Sequence, residues 1–239
     1  MENSSYIALS RQMTLANEMS IVANNIANAN TPAYKGEKMV FQEFIDKPTR
    51  GEKLSFVQDV GLARDLSEGP MKVTNNPLDV AIKDKGYFVV DTPMGQRFTR
   101  HGRFQIDANS QLVTSAGYTV RGLAGPIIIP QDQGQVTIAE DGTVSTQEGI
   151  VGTLQLVDFA DEQQLRKGAD GLYSSDTPPQ NVATPSVAQG MLEESNVKPI
   201  IELTRMIQVH RDYQSVQNFI KAEDDRLKNA INRLGRASA

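Results

Sequence analysis

The sequence predicts an α+β fold, in which long N- and C-terminal helices form a coiled-coil-like domain around a central all-β domain and an extended connector. Three observations carry the prediction. A three-then-four apolar spacing runs through the C-terminal stretch, a second such seam runs through the N-terminal one, and between them lie short apolar runs broken by frequent turn signals. The boundaries they imply are 1–32 with 190–239 for the helices, 33–75 for the connector and 76–189 for the β domain.

The C-terminal seam reads Met206, Val209, Tyr213, Val216, Ile220, Glu223, Leu227, Ala230 and Leu234, with Glu223 its one break. Ile200, Leu203, Ile207, Phe219 and Ile231 lie beside it and widen the apolar surface, so more than one partner helix can pack there. Ser195 or Asn196 is expected to cap the helix, Pro199 fits its first turn, and Gly235 reads as its stop.

At the other end, from about residue 4 to 28, Leu15, Met19, Val22 and Ile26 form one seam. Leu9, Met13, Ala16, Ala23 and Ala27 form a second. The remaining positions are mostly Asn, Ser, Gln and Thr instead of the Lys and Glu of a solvated surface helix. This pattern suggests that the second face is covered too, by other chains; a helix buried inside one globular domain is the plainer alternative. The helix runs into Asn24-Asn25-Ile26-Ala27-Asn28, and Pro32 prevents continuation. Asn24 and Asn28, one turn apart, either cap the end or present paired amides on one face.

Residues 33–75 are mixed in character, with Phe41 and Phe44 among charges and a loop at 47–51, and read as an extended connector with one short strand pair. Strands are expected at 78–83, 87–91, 97–100, 103–107, 111–114, 118–121, 127–129, 136–139, 143–146 and 152–159, with Asp141-Gly142 as a hairpin turn. Phe88, Phe98, Phe104, Tyr118 and Phe159 are the expected core anchors.

Charge and composition exclude several functions. The 239-residue chain has net charge −5, no cysteine and no tryptophan. Only Glu2, Arg11 and Glu18 are charged in the first thirty residues, and the basic side chains of the C-terminal helix are interspersed with Glu223, Asp224 and Asp225. No basic stripe faces a phosphate backbone, so no nucleic-acid binding is expected. No apolar run spans a bilayer and no secretory signal precedes the first helix, so direct membrane insertion is not expected. His101 and His210 fall in different elements, and Asp79, Asp84 and Asp107 show no spacing that singles out a carboxylate pair. Arg100 and Arg103 flank Gly102 and could meet an anion, although exposed hairpin arginines are the commoner case. The sequence argues against catalysis and implies no cofactor and no metal.

Four motifs in order then carry a resemblance. They are Leu9-Ser10-Arg11-Gln12-Met13 with Val22 to Pro32; Asn76-Pro77-Leu78-Asp79-Val80-Ala81-Ile82 with Gly86-Tyr87-Phe88; 98–104; and 190–197 with Met206-Ile207 and Arg211-Asp212-Tyr213. Together they resemble the rod and hook axial proteins of the bacterial flagellum, over nearly the whole chain. The 58–61 and 68–70 stretches and the length look most like a proximal-rod member, with a distal-rod member as the alternative. Tyr87 stands where Phe is usual in that family, and His101 where a small or polar residue is common.

The resemblance implies a structural subunit of the basal-body rod, exported unfolded through the flagellar type III apparatus and crossing the periplasm as part of the drive shaft. Its partners would be other proximal and distal rod subunits, further copies of itself in a helical assembly, and the export apparatus. Subunit packing would fall to Leu15, Met19, Val22, Asn24, Asn25, Ile26 and Asn28 on the first helix. Met206, Val209, Tyr213, Val216, Ile220, Leu227 and Leu234 would serve on the second. A periplasmic adaptor or a glycan hydrolase is the reading these expectations compete with.

Overall fold

The computed structural model describes residues 2–46, 54–130 and 134–237, and the chain divides into two compact units. The first gathers residues 1–29, 36–65 and 197–239; the second holds 30–35 and 66–196.

In the first unit, helix α1 (Glu2–Ala27) packs against helix α2 (Pro199–Ala237) and against a hairpin of strands β1 (Glu37–Asp46) and β2 (Leu54–Arg64). The hairpin supplies the strand pair expected in the connector, with strands longer than the short ones expected. Its ladder pairs Glu37 with Arg64 and Asp46 with Leu54, with one register shift at Val40/Phe41, so most of this stretch is regular structure. Charged and apolar residues follow one another there without clean alternation, which removes the usual strand signal. The expected loop at 47–51 and the side chains of Phe41 and Phe44 lie outside the described residues.

Helix α2 begins later than expected. The Lys198 carbonyl accepts from the N–H groups of Ile201 and Glu202, making Lys198 the cap and Pro199 the first helical residue. Ser195 is buried and the Asn196 amide donates to the Ser67 carbonyl, so both belong to the β unit. Gly235 does not stop the helix, which continues to Ala237.

The second unit is built of short strands. Strands β3 (Met71–Val73) and β4 (Val80–Ile82) pair with Met191–Glu193 and Val187–Gln189, so the last strands of the unit close onto its first. Strands β5 (Tyr87–Thr92) and β6 (Gly95–Thr99) form a hairpin, followed by β7 (Phe104–Ile106), β8 (Leu112–Thr114) and β9 (Thr119–Gly122). The main sheet runs in the order Arg166–Lys167, Tyr173–Ser174, β6, β5, β9, β8, β7. Thr137–Ile138, Thr143–Thr146 and Gly149–Thr153 make a smaller sheet, whose first hairpin turns at Gly142 with φ of 81°. The expected strand 152–159 is two pieces in different sheets, because Leu156–Asp158 leaves to pair with β5.

Both faces of β5 are covered, which explains its unbroken apolar run. Phe88 and Val90 enter one core with Phe104, Leu112, Val120 and Leu156, and Tyr87 and Val89 enter another with Phe98, Phe159 and Tyr173. The rings meet edge to face: Phe88 with Phe104 at 5.1 Å, and Phe98 with Phe159 at 4.8 Å. Of the five expected anchors, Tyr118 alone is only partly buried. The 127–129 segment forms a single bridge instead of a strand, yet Ile127 and Ile129 are buried.

Candidate assembly surface

The helices of the first unit run antiparallel. Asn25 of α1 meets Glu202 of α2, Glu18 meets Arg205, and Ile7, Ala8 and Arg11 line one groove with Ser215, Val216 and Phe219. Asn25 is 2% exposed and does three things at once. Its Nδ2 donates to the Glu37 carbonyl at 2.9 Å and to Glu202 Oε2 at 3.2 Å, while its Oδ1 accepts from the Glu37 N–H at 3.0 Å. One amide thereby joins α1 to β1 and α2. Arg205 adds a fork, with Nε and Nη2 at 3.1 and 2.8 Å from Glu18 Oε1.

The apolar positions separate into inward and outward sets. Leu15, Val22 and Val209 are buried, and Met19, Ile26, Met206, Tyr213, Val216 and Ile220 are partly buried. Asn24 is exposed, and Asn28 bonds to the Asn24 carbonyl and side-chain oxygen at 2.9 and 3.0 Å, so these two amides cap the helix end. Leu227 is exposed, and the Leu234 side chain lies outside the described residues.

Several large apolar side chains face away from the pair. On α1, Leu9 and Met13 are exposed, as are Ala16, Ala23 and Ala27. At about 100° per residue Leu9, Met13 and Ala27 lie on the far side of the helix from Leu15 and Val22, and Ala16 and Ala23 lie on its flank. On α2, Ile200, Leu203 and Ile207 are 80, 50 and 55% exposed and lie opposite Val209. Phe219 and Ile201 sit on a flank. Leu227 lines a groove with Gln12 of α1, and Ile231 follows it along the inner seam of α2, the longer helix with 39 residues against 26. Exposed apolar side chains that recur at helical spacing make each helix a candidate for further packing.

The β unit holds a buried ion cluster that sequence reasoning missed. Glu193, 2% exposed, places Oε1 2.6 Å from Lys35 Nζ and 3.0 Å from the Gly69 N–H, and Oε2 2.9 Å from Arg100 Nε. Lys35 Nζ also donates to the Ser67 carbonyl, and Arg100 donates to the Gly86 and Asp84 carbonyls. Burial pulls the Lys35 ammonium below its ordinary pKa, against Glu193. Burial acts to raise the Glu193 carboxyl, but Arg100, Lys35 and the Gly69 N–H outweigh it and hold the carboxyl below its usual value. Arg100, read as an exposed hairpin arginine, is therefore buried and structural. Arg103 is exposed, as expected.

Among the described residues there is no group of three or more metal-capable side chains, and no helix is long and apolar enough to cross a membrane. Burial and the Arg103 guanidinium lower the His101 pKa, with Asp79 opposing them.

Comparison with known proteins places these features in context. Residues 6–35 match the family described as "Flagella basal body rod protein", 81–146 the "Flagellar hook protein FlgE/F/G D1 domain", and 188–234 the "Flagellar basal body rod FlgEFG protein C-terminal". The chain is 41% identical to the flagellar basal-body rod protein FlgF of Caulobacter vibrioides, with 99% of each chain covered. It is 31% identical to FlgF of Escherichia coli over 94% of this chain and 95% of that one. It is 30% identical to the rod protein FlgG of Bacillus subtilis over 97% of this chain and 99% of that one.

Proposed function

The chain belongs to the flagellar basal-body rod protein family, and from that premise we propose that it is a proximal-rod subunit whose helix pair packs among the helices of neighbouring subunits. It is a structural protein and not an enzyme. The observation that carries the packing is the uncovered apolar stripe of Ile200, Leu203 and Ile207, matched on α1 by Leu9 and Met13.

The inner seam holds the subunit's own helices together. The outward stripes meet other copies and other rod proteins. A surface used repeatedly by a heterologous, non-closing operation builds a helical tube, and many such seams resist torsion together. The weakly charged outer side of α1 suits a helix covered by neighbours or facing a passage for other chains. In this reading the subunit reaches the rod through the flagellar export apparatus, the rod crosses the periplasm, and its core is the export channel.

The test is complementation of a host lacking its own copy. Ile207→Glu is expected to leave the purified protein's thermal unfolding within about 0.5 kcal/mol of wild type, because the side chain is solvent-facing in the isolated chain. It is expected to abolish incorporation into isolated basal bodies. Normal incorporation would remove α2's outward stripe from the assembly surface.

A further inference from the structure

We infer that Glu193 is a clasp that closes the β unit at the points where the polypeptide enters and leaves it. The chain crosses the boundary between its two units four times, near residues 29, 35, 65 and 196. Within the β unit, the segments next to the last three crossings all meet at Glu193. The Ala33 N–H donates to its carbonyl at 2.8 Å, Lys35 and Gly69 reach one carboxylate oxygen, and Arg100 reaches the other.

Neighbouring bonds repeat the pattern. The Glu194 N–H donates to the Pro70 carbonyl at 2.8 Å, the Asn196 N–H to the Tyr34 carbonyl at 3.2 Å, and the Asn196 amide to the Ser67 carbonyl at 2.9 Å. None of the carboxylate's partners is local: Lys35, Gly69 and Arg100 are 158, 124 and 93 residues away in sequence. The clasp therefore forms only when both ends of the unit have arrived.

Its chemistry suits selection of one geometry. A buried ion cluster is often no more stabilising than apolar side chains of the same volume, whereas breaking it leaves an uncompensated charge. Glu193 accepts only from donors set at fixed positions, so the segments at 33–35, 67–70 and 193–196 close in one arrangement or remain open. Gly69 enforces the fit: a Cβ there would stand 1.9 Å from the Glu194 carbonyl oxygen, so only glycine permits this approach. The edge-to-face cores around β5 are built of apolar and aromatic side chains, and Arg100 ties the clasp to one of them, 6.0 Å from the centroid of the Tyr87 ring.

The test is amide exchange on the purified full-length chain, read at Ala33, Gly69, Glu194 and Asn196 and compared with the β5–β6 ladder. It needs no rod, so it stands apart from the assembly proposal. Lys35→Met removes one cation but leaves Arg100 paired with Glu193, so the unit stays folded. Exchange at the four amides is expected to accelerate on the order of tenfold or more while the ladder is unchanged. Glu193→Gln, which leaves two buried cations without their anion, is expected to accelerate the same amides further.

In wild type, after allowance for intrinsic exchange rates, protection of these four is expected to fall relative to the ladder as Glu193 titrates below its ordinary carboxyl range. Lys35 and Arg100 face the carboxylate, and Glu68 acts on Lys35. In Glu193→Gln that dependence should vanish. Unchanged exchange at the four amides in Lys35→Met, or equal acceleration throughout the unit, overturns the clasp.

Discussion

At the residue scale, two titratable groups give the molecule a defined response to acid. The Glu193 pKa is lowered in the folded state, so the unfolded chain takes up its proton first as pH falls. The stability it contributes is complete above the unfolded value of 4.5 and is lost below it as the folded group titrates. His101 acts earlier. Its folded pKa is also lowered, so the unfolded imidazole protonates first below 6.5, and stability declines from that pH downward until the folded imidazole titrates.

Thermal unfolding at about pH 7.5 and about pH 5.5 should show a larger fall in Tm for wild type than for His101→Gln. Equal falls would contradict the assignment. Gly102 provides a test without charge. A Cβ there would lie 1.7 Å from the Val80 carbonyl oxygen, and the Val80 N–H bonds to the Gly102 carbonyl at 2.9 Å, so the two backbones cannot part without losing that bond. Gly102→Ala is expected to cost about 1–3 kcal/mol or more in denaturant unfolding. None of these roles was legible in sequence. Glu193 sits among exposed-looking acids in Leu192-Glu193-Glu194, and its partners are distant in the chain.

At the element scale, the terminal helices were legible because their periods of three and four persist over many turns, a signal that local exceptions such as Glu223 do not erase. Periodicity showed that two faces were apolar. It could not say which face the chain covers for itself. The inward set at Leu15, Val22 and Val209 and the outward set at Ile200, Leu203 and Ile207 look alike in sequence and differ only through the register fixed by Asn25–Glu202 and Glu18–Arg205.

The two sets should respond differently to mutation. Val22→Asp buries an unpaired carboxylate inside the pair and should unfold the helical unit even in the monomer, lowering its far-ultraviolet helical signal. Ile207→Glu should not. Asn25→Ala is expected to destabilise by about 1–3 kcal/mol, because both backbone groups of Glu37 and the Glu202 carboxylate lose a partner. The β1–β2 hairpin was expected only as one short strand pair, and its length was not legible because its strands carry no alternation that separates one face from the other.

At the scale of the whole molecule, the β unit has two buried clusters of its own and exposes scattered apolar side chains such as Met94 and Ile150, whereas the described helices expose Leu9, Met13, Ile200, Leu203 and Ile207 at helical spacing. The proposed assembly assigns those side chains to neighbouring subunits. The absence of cysteine makes the claim directly measurable. Ile207→Cys introduces a single thiol on α2's outward stripe, in a side chain smaller than isoleucine and uncharged below its ordinary thiol pKa. Maleimide should label it rapidly in the purified monomer and barely at all in basal bodies isolated from complemented cells. Equal labelling in both would mean that α2's outward stripe remains in solvent in the rod, and the account of how this subunit assembles would be wrong.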